Sequence, residues 1–114
     1  MKVMITGGAG FLGSLLAHQL LQRCSLRGAR IESLVLADLE ESRDEQLRSD
    51  ARVLCHTGDL LTELPALMLE PLDAVFHLAS AVSAECETDF DLGLRSNLDT
   101  TRALLDACRA QAEL

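Results

Sequence analysis

The chain has 114 residues, a formal net charge of −8 and 48 % hydrophobic residues, enough for one domain with a sizeable core. A surplus of carboxylates is repelled by a phosphate backbone or an anionic lipid surface, which excludes nucleic acid and membrane surfaces as partners. No apolar run reaches the length of a membrane span, and Lys2 is followed at once by a strand pattern unlike a signal peptide, so a cytoplasmic location is expected.

The first element is the apolar run Val3, Met4, Ile5, a strand that feeds directly into residues 6–13, TGGAGFLG. Phe11, Leu12, Leu15 and Leu16 then follow a helical pattern. A strand, a glycine turn and a helix make the geometry that holds a dinucleotide pyrophosphate against main-chain N–H groups, where a side chain would hold the phosphates off. In that geometry Gly7 allows an unusual dihedral on leaving the strand, Gly10 lets the backbone approach the phosphates, and Gly13 lets the helix pack on the strand. A second triad, Gly8, Gly10 and Gly13, satisfies the literal G-x-G-x-x-G spacing.

Residues 25–30, with Gly28, read as a polar loop ahead of a second strand, Leu34 to Asp38. Asp38 stands 25 residues after Gly13, slightly beyond the usual spacing of about 20 for the acid that accepts hydrogen bonds from the adenosine ribose. A carboxylate there repels the 2′-phosphate of NADP, and no arginine directly follows to neutralise one, so NAD is the expected cofactor. A solvated acid at a strand end is the plainer alternative.

The charged stretch between Glu40 and Asp50 reads as a solvated loop with at most one helical turn. Residues 52–56 (RVLCH) form a third strand, Thr62 opens a short helix with Pro65 in its first turn, and residues 73–78 (DAVFHL) form a fourth strand. From Phe90 onward runs the longest helix. Leu94, Leu98, Thr101, Leu105 and Cys108 are expected to be its buried stripe, with Arg95, Asp99, Arg102, Asp106 and Arg109 facing water.

Apolar strands without alternation, each followed by a helix or a long crossing, predict an α/β fold. It is a Rossmann-type doubly wound parallel sheet of about four strands in the order 3-2-1-4, spanning 1–114 as one incomplete domain. Its ligand crevice falls between strands 1 and 4, where Ala79, Ser80 and Ala81 line the cofactor channel. Val75, Phe76 and Leu78 on strand 4 would form an exposed apolar edge, so self-association through that edge or the last helix is expected. Cys24, Cys55, Cys86 and Cys108 form no C-x-x-C pair and no cluster with histidine, which predicts packed thiols and no metal. His18, His56 and His77 carry no catalytic pattern.

Five segments together, TGGAGFLG, the Asp38 strand end, GDL at 58–60, HLAS at 77–80 and RSNLDTT at 95–101, resemble the extended short-chain dehydrogenases of the NAD-dependent epimerase/dehydratase family. The stretch from HLAS to FDLGLRSNLD is most similar to the D-erythronate dehydrogenase subgroup. The resemblance implies that Asp59 and Leu60 contact the adenine, that Leu78, Ala79 and Ser80 contact the cofactor backbone, and that Asn97 belongs to the active-site region. Asp59 as a turn cap and Asn97 as a polar flank residue remain open readings, and Ser83 either reaches substrate or lies on the surface. Two departures are Thr100 where the family usually has glycine and HLAS where HLAA is commoner. A larger one is chemical: the family's hydride chemistry relies on a tyrosine and a lysine four residues apart, but this chain has no tyrosine and only Lys2. The expectation is therefore an NAD-binding part whose substrate half and catalytic pair lie in a complete protein. A non-catalytic NAD-sensing module is an alternative, and a methyltransferase-like fold is disfavoured because Thr6, not an acid, ends strand 1.

Overall fold

The computed structural model describes residues 1–79 and 89–111. Four parallel strands form the sheet: β1 (Lys2–Thr6), β4 (Ser33–Asp38), β5 (Val53–Thr57) and β6 (Ala74–His77), in the order β5-β4-β1-β6. With the small hairpin of β2 (Ser25–Leu26) and β3 (Ala29–Arg30) set aside, this is the expected 3-2-1-4 order of a Rossmann sheet.

Both faces of the central strands are covered, which is why their sequences show no alternation. Val3, Ile5, Leu34 and Leu36 point to one side and pack with Ala17, Leu20 and Leu21 of α1 (Phe11–Arg23). Met4, Val35 and Ala37 point to the other and pack with Leu64 and Leu67 of α3 (Leu60–Leu67) and with Leu104. The register Met4↔Val35 and Ile5↔Leu36 keeps each side chain on its own face. Strand β6 joins the same two cores, Phe76 from one face and Val75 from the other.

Helix α1 ends at Cys24, whose left-handed backbone (φ 63) lets its N–H reach Leu20 O at 3.0 Å. The polar loop expected next is a hairpin instead. Arg27 and Gly28 both have positive φ, 52 and 82, the pair of conformations a two-residue antiparallel turn requires.

Three further expectations need correction. The charged stretch after β4 contains a helix, α2 (Glu45–Ser49), because Asp44 caps it by accepting from Gln46 N–H and Leu47 N–H at 3.0 and 3.2 Å. Leu47 is fully buried against the α1 core and anchors that helix. Helix α3 starts at Leu60, two residues before Thr62, with Asp59 in the cap position; Pro65 therefore sits past the first turn, and the helix ends two residues later.

The third correction concerns the last helix. It runs from α4 (Phe90–Gly93) through a π-helical stretch, Leu94–Asp99, into α5 (Thr100–Ala110). Each π turn takes in an extra residue, so the faces before and after it leave the simple 3.6 register. Thr100 and Leu104 are the buried residues, while Leu98 and Leu105 of the expected stripe are 57 % and 64 % exposed.

Candidate functional site

The carboxyl ends of all four sheet strands open onto one cleft of about 470 Å³, within the usual size range of small-molecule sites. One wall is the turn between β1 and α1. Gly7 leaves the strand with φ +75, and its N–H and that of Gly8 both point at Ala37 O, 2.8 and 3.3 Å away. A Cβ on Gly7 would stand 2.9 Å from Ala79 N, and one on Gly13 would stand 2.2 Å from Gly7 O. Gly8 is equally constrained, since its Cβ would meet Leu36 Cβ at 2.8 Å.

Gly10 differs. A Cβ there would touch only Gly7 O at an ordinary 3.4 Å, so the protein itself does not demand glycine. Gly10 is the N-cap of α1, no side chain caps that helix, and Gly10 lines the cleft. The first-turn N–H groups and the positive end of the helix dipole are thus left to an anion, and the residues present fit a dinucleotide pyrophosphate.

Asp38 ends β4 beside this turn. One of its oxygens accepts from Ala9 N–H at 2.9 Å, and its main-chain carbonyl accepts from Gly58 N–H at 2.9 Å. The acid therefore fastens the glycine turn as well as facing the cleft, a role its spacing from Gly13 did not suggest.

On the far side of β1, Thr6 Oγ1 accepts from Leu78 N–H and Ala79 N–H at 3.1 and 3.2 Å. Its own proton goes to His77 Nδ1 at 2.6 Å, so the network assigns the ring proton to Nε2, which donates to Thr101 Oγ1 at 3.0 Å. Burial lowers the His77 pKa and keeps the ring neutral. His77 is thus a structural clasp between β1, β6 and α5. The other two histidines face carboxylates: His18 lies 2.5 Å from Asp44 and His56 3.6 Å from Glu63.

The remaining wall is made by α3 and the last helix. Asp59 faces the cleft, makes no capping hydrogen bond to α3, and pairs instead with Arg95. That arginine, by its hydrogen bond and charge, holds the Asp59 carboxyl below its ordinary pKa. Arg95 was expected to face water and is half exposed, but it also lines the cleft. The π turn brings it onto the cleft wall, and the buried Thr100 fixes the turn by donating from its hydroxyl to Arg95 O at 2.7 Å.

Of the residues singled out in the sequence, Gly7, Gly10, Asp38, Asp59, Leu60, Leu78 and Ala79 line this single cleft. Phe11 and Leu12 open α1 outside the cleft lining and are 84 % and 62 % exposed, while Gly13 packs beneath the turn. Asn97 is exposed on the π stretch, away from the cleft lining. Ser80 and Ser83 lie outside the described residues. Thr6, Leu39, His56, Glu63, Arg95 and Thr100 line the cleft without having been singled out. Thr6 and His56 were findable, because ligands of open α/β sheets bind at the carboxyl ends of strands. Among the described residues no group of histidine, cysteine or carboxylate side chains is arranged to hold a metal, and no helix is long and apolar enough to cross a membrane.

A glycine turn, an acid ending the second strand and a cleft across the strand ends define a Rossmann domain of the extended short-chain dehydrogenase type. The model of the 3-beta hydroxysteroid dehydrogenase/isomerase family matches residues 4–112, and the chain belongs to that family. It is 50 % identical over 117 residues to a D-erythronate dehydrogenase of Cupriavidus necator, an alignment that takes in 96 % of this chain and 35 % of that protein. It matches the crystal structure of a nucleoside-diphosphate-sugar epimerase from Agrobacterium tumefaciens with a TM-score of 0.81 and 36 % identity, over 96 % of this chain and 32 % of that one. UDP-glucuronic acid 4-epimerase from Bacillus cereus, in complex with NAD, gives 0.76 at 27 % identity, over 96 % of this chain and 36 % of that one. The chain spans about a third of the length of these relatives.

Proposed function

We propose that these residues bind NAD as the dinucleotide-binding part of an oxidoreductase acting on a hydroxyl of a sugar acid or nucleotide sugar, with a D-erythronate-type 2-dehydrogenation as the best single reading. The observation that carries it is Gly10: a glycine at an uncapped helix start, facing a cleft, where the protein's own packing has room for a Cβ. Relatives named as a D-erythronate dehydrogenase and as an NAD complex of a sugar epimerase support the cofactor and the substrate class.

In this reading the N–H groups after Gly10 hold the pyrophosphate, Asp38 accepts from the adenosine ribose, and Asp59 and Leu60 flank the base. Leu78, Ala79 and Ser80 lie along the cofactor backbone, while Asn97 and Ser83 support the substrate side. Bound NAD supplies the hydride acceptor; this chain binds and orients it. The 114 residues contain no tyrosine, so the acid–base pair and the small-molecule substrate belong to the whole protein, and these residues alone bind without turnover. Exposed Phe90, Leu98 and Leu105, with the β6 edge, favour self-association, which light scattering across a concentration series tests. A non-catalytic NAD-sensing binding module is the alternative, and an NAD-dependent sugar epimerase or dehydratase is the alternative within the family.

Titration calorimetry with NAD, NADP and S-adenosylmethionine tests the core of the reading. Binding of NAD in preference to both is expected. A preference for NADP overturns the role given to Asp38, and binding of S-adenosylmethionine overturns the oxidoreductase assignment.

A further inference from the structure

The hydroxyl of Thr6 is fully engaged. Both of its lone pairs accept main-chain N–H groups, from Leu78 at 3.1 Å and Ala79 at 3.2 Å, and its single proton goes to His77 Nδ1 at 2.6 Å. Leu78 N–H has a second acceptor in Thr6 O at 3.1 Å, whereas Ala79 N–H has no other among the described residues. Thr6, Gly7, Leu78 and Ala79 all line the cleft, and a Cβ on Gly7 would stand only 2.9 Å from Ala79 N. One hydroxyl therefore sets where the chain after β6 stands against the glycine turn.

We infer that His77 is a positioning residue whose neutral ring holds Ala79 against the glycine turn, and whose protonation releases Ala79 and weakens dinucleotide binding, a consequence that rests on the dinucleotide reading above. A second ring proton must sit on Nδ1, because Nε2 already donates to Thr101 Oγ1 at 3.0 Å. Nδ1 then turns from acceptor to donor. Thr6 Oγ1 is left facing three donors with two lone pairs, and its own proton has lost its acceptor. Leu78 N–H keeps Thr6 O, so Ala79 N–H is the group set free.

The elements packed on this side of the sheet present hydroxyls to the ring, Thr6 from β1 and Thr101 from α5. Their ionisable groups are Lys2, paired with Glu70; Glu63 of α3, paired with His56; and, along the last helix, Asp91, Arg95 with Asp59, Asp99, Arg102, Asp106 with Arg109, and the Cys108 thiol. None of these bonds to the ring, whose pKa is lowered by burial. The binding-competent state holds fewer protons, so affinity is full above that pKa and falls as pH drops through it.

The test uses the whole 114-residue chain and two readouts. Calorimetric titration with NAD between pH 8 and pH 5 should show wild type weakening about fivefold, the scale of one hydrogen bond, with the change lying below the ordinary histidine value of 6.5. His77→Asn offers an amide oxygen to the Thr6 hydroxyl but does not titrate, so its affinity, whatever its level, should stay within about twofold across that range. His56→Gln removes the other histidine of the cleft and should keep the wild-type dependence. The second readout needs neither variant nor ligand. Amide hydrogen exchange of wild type, corrected for the intrinsic effect of pH, should show protection of Ala79 N–H falling about fivefold relative to Gly7 N–H, which is bonded to Ala37 O on the other side of β1. An affinity that does not change with pH overturns the inference, as does a dependence that persists in His77→Asn or disappears in His56→Gln. Ala79 and Gly7 losing protection together overturns it too, and leaves His77 a contributor to global stability. Failure of the dinucleotide reading is a separate result: wild type then binds NAD at no pH, and the exchange of Ala79 against Gly7 still decides whether His77 holds that wall.

Discussion

The two walls of the cleft are built on different principles. The wall formed by the β1–α1 turn is main chain on main chain: amides of Gly7 and Gly8 on Ala37 O, and glycines whose missing side chains leave contacts no Cβ tolerates. The wall formed by α3 and the π stretch is side chain on side chain, an ion pair of half-exposed groups and one threonine hydroxyl. Backbone walls fix geometry at the cost of being unable to change, whereas side-chain walls can be altered residue by residue without unfolding the domain. Stability should therefore reside in the first wall and tunable recognition in the second.

The largest expected effect is at Gly13. Gly13→Ala drives a Cβ onto Gly7 O in a contact of backbone with backbone, and should cost about 3 kcal/mol or more, or prevent folding, as read by urea denaturation. Gly10→Ala is the control that sharpens the contrast: unfolding free energy within about 0.5 kcal/mol of wild type, with NAD binding lost. If Gly10→Ala unfolds the protein, that position is structural and the binding argument loses its main support.

Next in size is the clasp at Thr6. Thr6→Val keeps the shape but removes the acceptor for Ala79 N–H and the donor to His77, and should cost about 2 kcal/mol in the same measurement.

His77 adds a pH dependence with a definite sign. Its pKa is lower folded than unfolded, so the unfolded chain binds more protons in the window just below the ordinary value of 6.5, and stability must fall as pH falls through it. Melting temperatures between pH 8 and pH 5 should show this step in wild type and not in His77→Gln. Asp44, Asp50 and Asp59 are also lowered from 3.8, by His18, Arg52 and Arg95 in turn, and what they contribute to stability is lost as pH falls through the carboxylate range below that value.

The smallest effect on folding belongs to the second wall. Arg95→Gln should change stability by no more than about 0.5 kcal/mol, because the pair is half exposed and solvent screens it. A loss as large as that of Thr6→Val would erase the distinction between the walls.

What the sequence discloses follows the same division. Val3 to Ile5 and Leu34 to Ala37 are apolar on both faces, so the covered parallel sheet and its order could be read directly. Gly7 and Gly13 are required by local geometry that three spaced glycines announce, and Asp38 by its place at a strand end. Side-chain-made features were less visible. Arg95 reached the cleft through a π turn that no 3.6-residue pattern foretells, and the same turn carried Leu98 and Leu105 to the outer face. Leu47 was hidden because a single apolar residue among charges has no periodicity, although the Asp44 cap three residues before it was available as a signal. The hydroxyl partners of His77, Thr6 and Thr101, lie 71 and 24 residues away and only the fold brings them together.

The hairpin of β2 and β3 has a practical use. It joins the end of α1 to the start of β4, so it stands at the amino ends of the strands, across the sheet from the cleft. Arg27 and Gly28 are exposed at its tip, and a Cβ on Gly28 would have no neighbour within 4 Å. An inserted tether, dye or fusion partner between those two residues would project into solvent from the rear of the domain. The cleft at the front could then be titrated on a surface or by fluorescence with its entrance unobstructed.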